Sequence, residues 1–328
     1  MWQTLARKIE ARWYAPRPYL GLVPLALVFR AIVSARRWLY ARGVLSTHRS
    51  ERPMLVVGNI TVGGSGKTPL VIELVARLAK RGLTAGVVAR GYGGRATNYP
   101  LLVEAKSDPR LTGDEPVLIA QRSGAPVAVA PDRVAAAHAL CEARPDIDMI
   151  VADDGLQHYR LARDGEIAVR DAARGYGNGW MLPAGPLREP LSRLNAVDIE
   201  AVQGAGGDYR LVLDGAYRLC DGQTAALSDF AGGPVHGVAG IGDPARFFAA
   251  LAAAGLTLDG HPMPDHHAYQ PGDLSFADDR PVLMTEKDAI KCRDMQDTRL
   301  WAVPARAELA AGFSARVDAL IDRLLEYP

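Results

Sequence analysis

Between residues 58 and 68 the chain reads Gly-Asn-Ile-Thr-Val-Gly-Gly-Ser-Gly-Lys-Thr. Gly63, Gly64 and Gly66, with Ser65 among them, allow backbone N–H groups to curl around one point. Set at the start of a helix, such a concavity binds phosphate, because first-turn amides and the helix dipole both favour an anion. Lys67 would then reach the β- and γ-phosphates of a nucleotide, and the Thr68 hydroxyl would ligate Mg²⁺. The strict phosphate-loop spacing asks for glycine where Thr61 stands, and Gly58 or Gly63 can supply the turn instead. The competing reading is a glycine-rich turn that holds Gly-Lys-Thr by chance.

A second group of chemistry-bearing residues is Asp153-Asp154-Gly155, which follows the apolar run 147–152. Carboxylates at the C-terminal edge of a strand face the ligand crevice of an open α/β sheet. There one of them can hold the nucleotide's Mg²⁺. Alone, Asp-Asp-Gly would read as a turn. Gln157 and His158 follow within reach of the same crevice, although a lone histidine reads equally well as structural. Other polar loops hold Tyr92, then Asp114 and Glu115, then Arg133, then Arg188 and Glu189 at the end of a long glycine- and proline-rich stretch. Pro-Asp-His-His-Ala-Tyr at 264–269 adds His266 and His267.

These residues need a scaffold that brings strand ends together. Residues 54–57 form a short apolar run of the buried-strand type, and Leu70, Val71, Leu74, Val75 and Leu78 repeat at helical spacing behind the loop. Runs at 84–89, 127–130, 147–152, 166–169 and 196–202 read as further strands, and Asp132 reads as the cap of a helix to about Glu142. Strands alternating with helices imply a largely parallel, doubly wound sheet covered on both faces. Residues 209–220 read as a hairpin around Asp214-Gly215. Beyond it, strands at 235–239 and 281–284, a helix at 244–254 and a closing helix at 313–325 read as a smaller α/β unit.

With 48% hydrophobic and 23% charged residues, the 328-residue chain can bury a full core, which excludes a disordered protein. Its three cysteines, Cys141, Cys220 and Cys292, form no closely spaced pair, which excludes a disulfide scaffold and a thiolate zinc site. Charge is unevenly spread. Residues 1–50 hold nine of the 38 basic residues and one of the 37 acidic ones, a net charge of +8 that leaves −7 on the remainder. Trp2, Leu5, Ile9 and Trp13 recur at helical spacing among Arg7, Lys8 and Arg12, and residues 18–29 are uncharged and rich in leucine and valine. Arginines on both sides of that run argue against a signal peptide, and its length and Pro24 argue against a membrane span. Its apolar bulk is a poor fit to nucleic acid. A helix pair lying in an anionic membrane surface is expected, against the alternative of an ordinary docked helix hairpin.

In order along the chain, GNITVGGSGKTP, ARGYGG, TGDEP, APDR, DDGLQH, GNGWMLPAGPLREP, GIGDPARFF, PDHHAY and TEKDAIK resemble the tetraacyldisaccharide 4′-kinase, or lipid A 4′-kinase, family. The resemblance spans about residues 1–290 and rests on nine motifs in order. It implies a phosphate-loop NTPase-like domain and a smaller α/β domain joined by a β-ribbon. Mapped here, residues 1–50 are the membrane-surface helices, 51–206 the kinase domain, 207–233 the ribbon and 234–328 the smaller domain. The resemblance further implies transfer of the γ-phosphate of ATP, with Mg²⁺, to the 4′-hydroxyl of a tetraacylated glucosamine disaccharide 1-phosphate. Such an enzyme would work at the cytoplasmic face of the bacterial inner membrane, as a peripheral protein, with no nucleic acid and no obligate protein partner.

By the same resemblance Asp114 corresponds to a general base and His266 to its partner, with His267 as the alternative partner. Lys67, Thr68, Asp153 and Asp154 correspond to phosphate and metal residues, and which aspartate contacts the metal stays open. Tyr92, Glu115, Arg133, His158, Arg188 and Glu189 are expected around the cleft. Three rivals remain: a GTPase-type switch, for which Thr-Glu-Lys-Asp at 285–288 has its lysine one place off the guanine-reading pattern; a soluble sugar kinase; and a nucleotide-dependent binding protein.

Overall fold

The computed structural model describes the backbone of residues 2–326 and the side chains of 8–326; the side chains of Trp2, Leu5 and Arg7 lie outside the described residues. In chain order, α1 (Trp2–Trp13) and α2 (Val23–Ala41) precede β1 (Met54–Gly58), α3 (Lys67–Lys80), β2 (Ala85–Ala89) and β3 (Leu101–Val103). Then come α4 (Pro109–Thr112), α5 (Asp114–Ser123), β4 (Val127–Val129), α6 (Arg133–Ala143), β5 (Met149–Asp153), β6 (Gly165–Asp171), β7 (Ile199–Gln203) and β8 (Tyr209–Leu213). The smaller domain holds β9 (Ala216–Arg218), β10 (Thr224–Ala225), β11 (Val235–Ala239), α7 (Pro244–Ala253), β12 (Leu258–Pro262), β13 (Val282–Thr285), α8 (Glu286–Cys292) and β14 (Leu300–Val303). The chain ends in β15 (Ala305–Leu309) and α9 (Ala311–Glu326).

The larger sheet runs β15-β8-β7-β6-β1-β5-β2-β4-β3, parallel except at its two edge pairs. Its central strands β1, β2 and β4 are buried and uncharged at every position because both faces are covered. Leu55, Val57, Val87, Met149 and Val151 face α3, α5 and α9, whereas Met54, Val56, Val88, Ile150 and Ala152 face α6 and the partly buried Phe29 and Val33 of α2. This is the doubly wound phosphate-loop architecture, with the site at the C-terminal ends of β1 and β5. The smaller sheet runs β10-β9-β14-β13-β11-β12, with α7 on one face and α8 on the other.

Three sequence expectations change. The hairpin at 209–220 is not formed. β8 pairs with β15 in the larger sheet and β9 pairs with β14 in the smaller one, so residues 209–218 run antiparallel to 300–309 through both sheets. Asp214 N–H donates to Pro304 O at 3.0 Å where the ribbon passes between domains. The closing helix does not complete the smaller domain either. Its Phe313, Val317, Leu320, Ile321 and Leu324 are buried in the larger domain's core, and Asp318 takes two hydrogen bonds from Arg77 of α3. The unit expected at 234–328 therefore gives its last segment, from β15 on, back to the larger domain. Finally, the strand expected from 196 begins at Ile199, because Leu191–Ala196 forms a 3-10 turn.

The head is the expected helix pair. Trp13 Nε1 donates to Pro183 O, which docks the end of α1. The outer face of α2 leaves Leu25, Leu27, Val28, Ile32 and Trp38 exposed, with Leu20 at 77% exposure just before it. No helix among the described residues is long and apolar enough to cross a membrane.

Candidate active site

The loop from β1 to α3 is shaped from within by Asn59, which is fully buried. Its Nδ2 donates to Ser65 Oγ at 3.1 Å and Thr61 Oγ1 at 3.3 Å. Gly66, with φ of +76°, turns the chain into α3 and receives the Tyr209 hydroxyl on its carbonyl. From outside, Arg188 braces the same loop. Its guanidinium donates to Thr61 O, Asn59 Oδ1, Gln157 Oε1 and Asp154 Oδ2, all within 3.0 Å. A planar fork with five donors suits that convergence.

At the end of β5, Asp153 and Asp154 enter the same space. Asp154 has φ of +49°, a left-handed conformation that costs energy outside glycine and aims its carboxylate at Lys67 Nζ, 3.5 Å away. Burial pushes the Asp153 carboxyl up to about 7, helped by the charges of Glu115 and Asp154 and opposed by Lys67. Burial would raise Asp154 too, but Lys67, Arg188 and Arg133 outweigh it and hold it at about 2. Oδ1 of each aspartate is buried without a hydrogen-bond donor. Two such oxygens, with the hydroxyl of Thr68 next in the chain after Lys67, make a hard donor set that suits Mg²⁺.

The opposite wall comes from TGDEP and from the smaller domain. Gly113 has φ of +88°, and a Cβ there would stand 2.5 Å from Tyr92 O, so only glycine lets the loops at 90–94 and 112–116 lie this close. Asp114, 5% exposed, begins α5. Its Oδ1 accepts the Glu115 N–H, as a helix-capping aspartate would, while Oδ2 accepts from His266 Nδ1 at 3.0 Å. His266 also holds a left-handed backbone, φ +57°, and its ring meets Tyr92 edge-on at 5.1 Å. His267 pairs with Asp273 instead, so the adjacent histidine is not the partner of Asp114. Burial alone would raise Asp114, but the His266 hydrogen bond and the Lys287 charge hold its carboxyl below the usual range. The same bond raises the His266 imidazole against its own burial.

The two walls meet. Lys287 Nζ binds Glu115 Oε1 at 2.7 Å, Arg174 binds Asp243 at 2.6 Å, and a Cβ on Gly242 would lie 3.7 Å from Gly64 N. Lys67, Thr68, Asp153, Asp154, Arg188, Glu115, Asp114, His266 and Tyr92 thus border one interdomain cleft. Two expected cleft residues do not face it. Glu189 is 1% exposed and binds Gln157, the Tyr159 hydroxyl and Arg193, so it braces the wall from behind. His158 leans on Asp132 at 3.5 Å, and burial with Arg133 nearby lowers it to about 4, leaving a neutral structural imidazole. Arg133 is buried and holds Asp154 O at 3.1 Å, a support for the metal loop. Gln157, expected within reach of the crevice, braces Arg188, whereas Asn59 and Lys287 were not singled out from the sequence as site residues. A buried amide beside a glycine loop and an unassigned lysine in TEKDAIK were the available signals.

A family model described as Tetraacyldisaccharide-1-P 4′-kinase matches residues 19–322. The tetraacyldisaccharide 4′-kinase of Nitrosococcus oceani is 49% identical over 316 residues, covering 95% of this chain and 93% of the relative. That of Halorhodospira halophila is 51% identical over 313 residues, covering 94% of each. The crystal structure of LpxK from Aquifex aeolicus in complex with ATP superposes with a TM-score of 0.77 at 26% identity, covering 93% of this chain and 98% of that one.

Three expected outcomes follow from the geometry. Asp153 is a carboxyl raised on folding, so its contribution to stability is intact below pH ~4 and is lost as pH climbs through about 7. In nucleotide-free protein, Asp153→Asn should therefore melt a few degrees above wild type at pH 8, with the gap closing near pH 4, while turnover collapses. A wild type that melts higher at pH 8 contradicts the burial argument. Removing His266 takes away the strongest downward pull on Asp114, so the acid limb of the kcat–pH profile should move to higher pH in His266→Ala. Asp114→Asn, which keeps the bond to Glu115, should lose about 10²–10⁴-fold in kcat. Near wild-type turnover in Asp114→Asn would remove it from the chemistry.

Proposed function

Because the chain belongs to the tetraacyldisaccharide-1-phosphate 4′-kinase family, we propose that Asp114 and His266 face the phosphate loop across the cleft as its proton-accepting pair. The protein is an ATP-dependent kinase that phosphorylates the 4′-hydroxyl of the acylated disaccharide in lipid A biosynthesis. The observation that carries the site assignment is one contact, His266 Nδ1 on Asp114 Oδ2 at 3.0 Å, made between domains.

A sugar hydroxyl is a weak nucleophile at neutral pH, and a carboxylate within reach takes its proton as the oxygen attacks. Asp114 accepts that proton on the attacking side. The new bond joins the 4′-oxygen to the γ-phosphorus, the bond from the γ-phosphorus to the bridging oxygen breaks, and ADP carries the electron pair. Lys67 and the loop amides stabilise charge on the phosphoryl oxygens. Arg188 keeps Asn59, Thr61 and Asp154 in register around them. Thr68, Asp153 and Asp154 are the residues that would hold Mg²⁺, which supplies charge neutralisation between the β- and γ-phosphates when bound. Packing the smaller domain against the loop keeps water from competing for the phosphoryl group.

The head suits a lipid acceptor. Exposed Leu25, Leu27, Val28 and Ile32 form an apolar stripe on α2, and arginines flank it. This supports a peripheral position on an anionic membrane surface, at the cytoplasmic face of the inner membrane where ATP is available. The charged part of that attachment weakens with salt and the apolar part persists.

The direct test is ³²P transfer from γ-labelled ATP into a tetraacyl disaccharide 1-phosphate in mixed micelles. Lys67→Ala should cut that transfer by about 10³-fold or more while the far-UV spectrum stays native, and a loss of tenfold or less would sink the phosphate-loop assignment. Removing residues 1–45 should release the protein from vesicles containing anionic lipid and leave ATP binding intact. A truncated protein that still sediments with those vesicles places the anchor elsewhere.

A further inference from the structure

Helix α8 carries three charged side chains to the domain boundary. Glu286 takes two hydrogen bonds from Arg122, and Lys287 binds Glu115. One turn on, Lys291 points toward Asp114. Its Nζ lies 3.9 Å from Asp114 Oδ2, the oxygen that accepts from His266. Only 12% of the Lys291 side chain is exposed. Its ammonium sits 5.2 Å from the centre of the Tyr269 ring and 2.8 Å from Asp288 Oδ1, an ion pair and not a well-directed hydrogen bond.

Asp288 is completely buried, and its Oδ2 accepts the Gly240 N–H at 2.9 Å and the Thr285 hydroxyl at 2.6 Å. The Gly240 carbonyl in turn accepts the His266 N–H. One buried ion pair therefore touches both partners of the dyad, His266 through its backbone and Asp114 through its charge. Phosphate does not explain this lysine, whose nearest charged groups are both carboxylates.

We propose that Lys291 is a positioning residue for phosphoryl transfer, holding the Asp114 carboxylate ionised and directed at His266. The proposal rests on Asp114 being the base. The other charged groups that face Asp114 are His266 and Asp265 from the 264–269 loop, Lys287 and Asp288 from α8, and Glu115 beside it on α5. Lys287 is matched by Glu115, and His266 makes the direct bond. Among the described residues Lys291 has the one ammonium within 4 Å of an Asp114 oxygen, and that oxygen is Oδ2, where a loss of positive charge is felt by the proton-accepting atom.

The test is a kcat–pH profile of the full-length enzyme on micellar lipid with saturating ATP. Lys291→Gln should lower kcat at neutral pH about tenfold, leave KM for ATP within twofold, and move the acid limb up by about one unit. Lys291→Arg, which keeps the charge, should return the limb toward wild type. In an Asp114→Asn background, Lys291→Gln should add little, because residues acting through one another are not additive. A lower kcat with an unmoved acid limb, or wild-type kcat in Lys291→Gln, overturns the proposal. Should Lys291→Gln fail to fold because Asp288 is left without a counter-charge, the Lys291→Gln/Asp288→Asn variant removes both charges and must shift the limb in the same direction. A fully active Asp114→Asn would instead refute the base assignment, and so separates the two failures.

Discussion

Asp114 is a buried residue of the larger domain, yet the groups that neutralise it belong to the smaller one: His266, Lys287 and Lys291. Taking a carboxylate out of water costs several kcal/mol unless opposite charge and hydrogen bonds replace the solvent. Here the replacement exists only when the domains are docked. Preparing the base and packing the cleft are thus one event, governed by the same electrostatic match. The interdomain pairs Arg174–Asp243, Arg246–Asp171 and Arg122–Glu286 extend that match around the rim.

The phosphate side is organised by the opposite arrangement, cations from one domain around its own acids. Lys67, Arg188 and Arg133 converge on Asp154, while burial and the Glu115 charge keep its neighbour Asp153 from ionising readily. Two adjacent carboxylates so end far apart in acidity, which keeps the pair from repelling itself in a dry pocket. The left-handed backbones at Asp154 and His266 are the two non-glycine cases among the described residues, and both lie in the cleft. Strain is tolerated where direction matters more than local comfort.

What the sequence revealed follows the range of the forces involved. The phosphate loop, the buried strands and the cap at Asp132 depend on neighbours within a turn or two, and their residue types announce them. Partner choice does not announce itself. Asp214-Gly215 is a good turn signal, but the strands on either side find partners about 90 residues downstream. The apolar face of α9 was plain, whereas the sheet it covers was not. Family resemblance puts Glu189 around the cleft; its burial depends on Tyr159 and Arg193, which no local pattern ties to it. Between His266 and His267, equal in type and adjacent, only the backbone turn decides which ring meets Asp114.

The return of the chain to the larger sheet sets an order of assembly. β15 and α9 cover the edge of β8 and the outer side of α3, and they are synthesised after the strands and helix they cover. Until they emerge, the apolar side chains of α3 and the central strands lack part of their cover, while every strand of the smaller sheet has already been made. Residues 216–303 can therefore finish their own fold first, as an insertion held at both ends by a nascent, open-edged partner. The nucleotide loop is translated before the smaller domain, and its own domain closes only after that domain is made, so a ribosome-bound chain carries the phosphate-binding motif well before it carries a completed site.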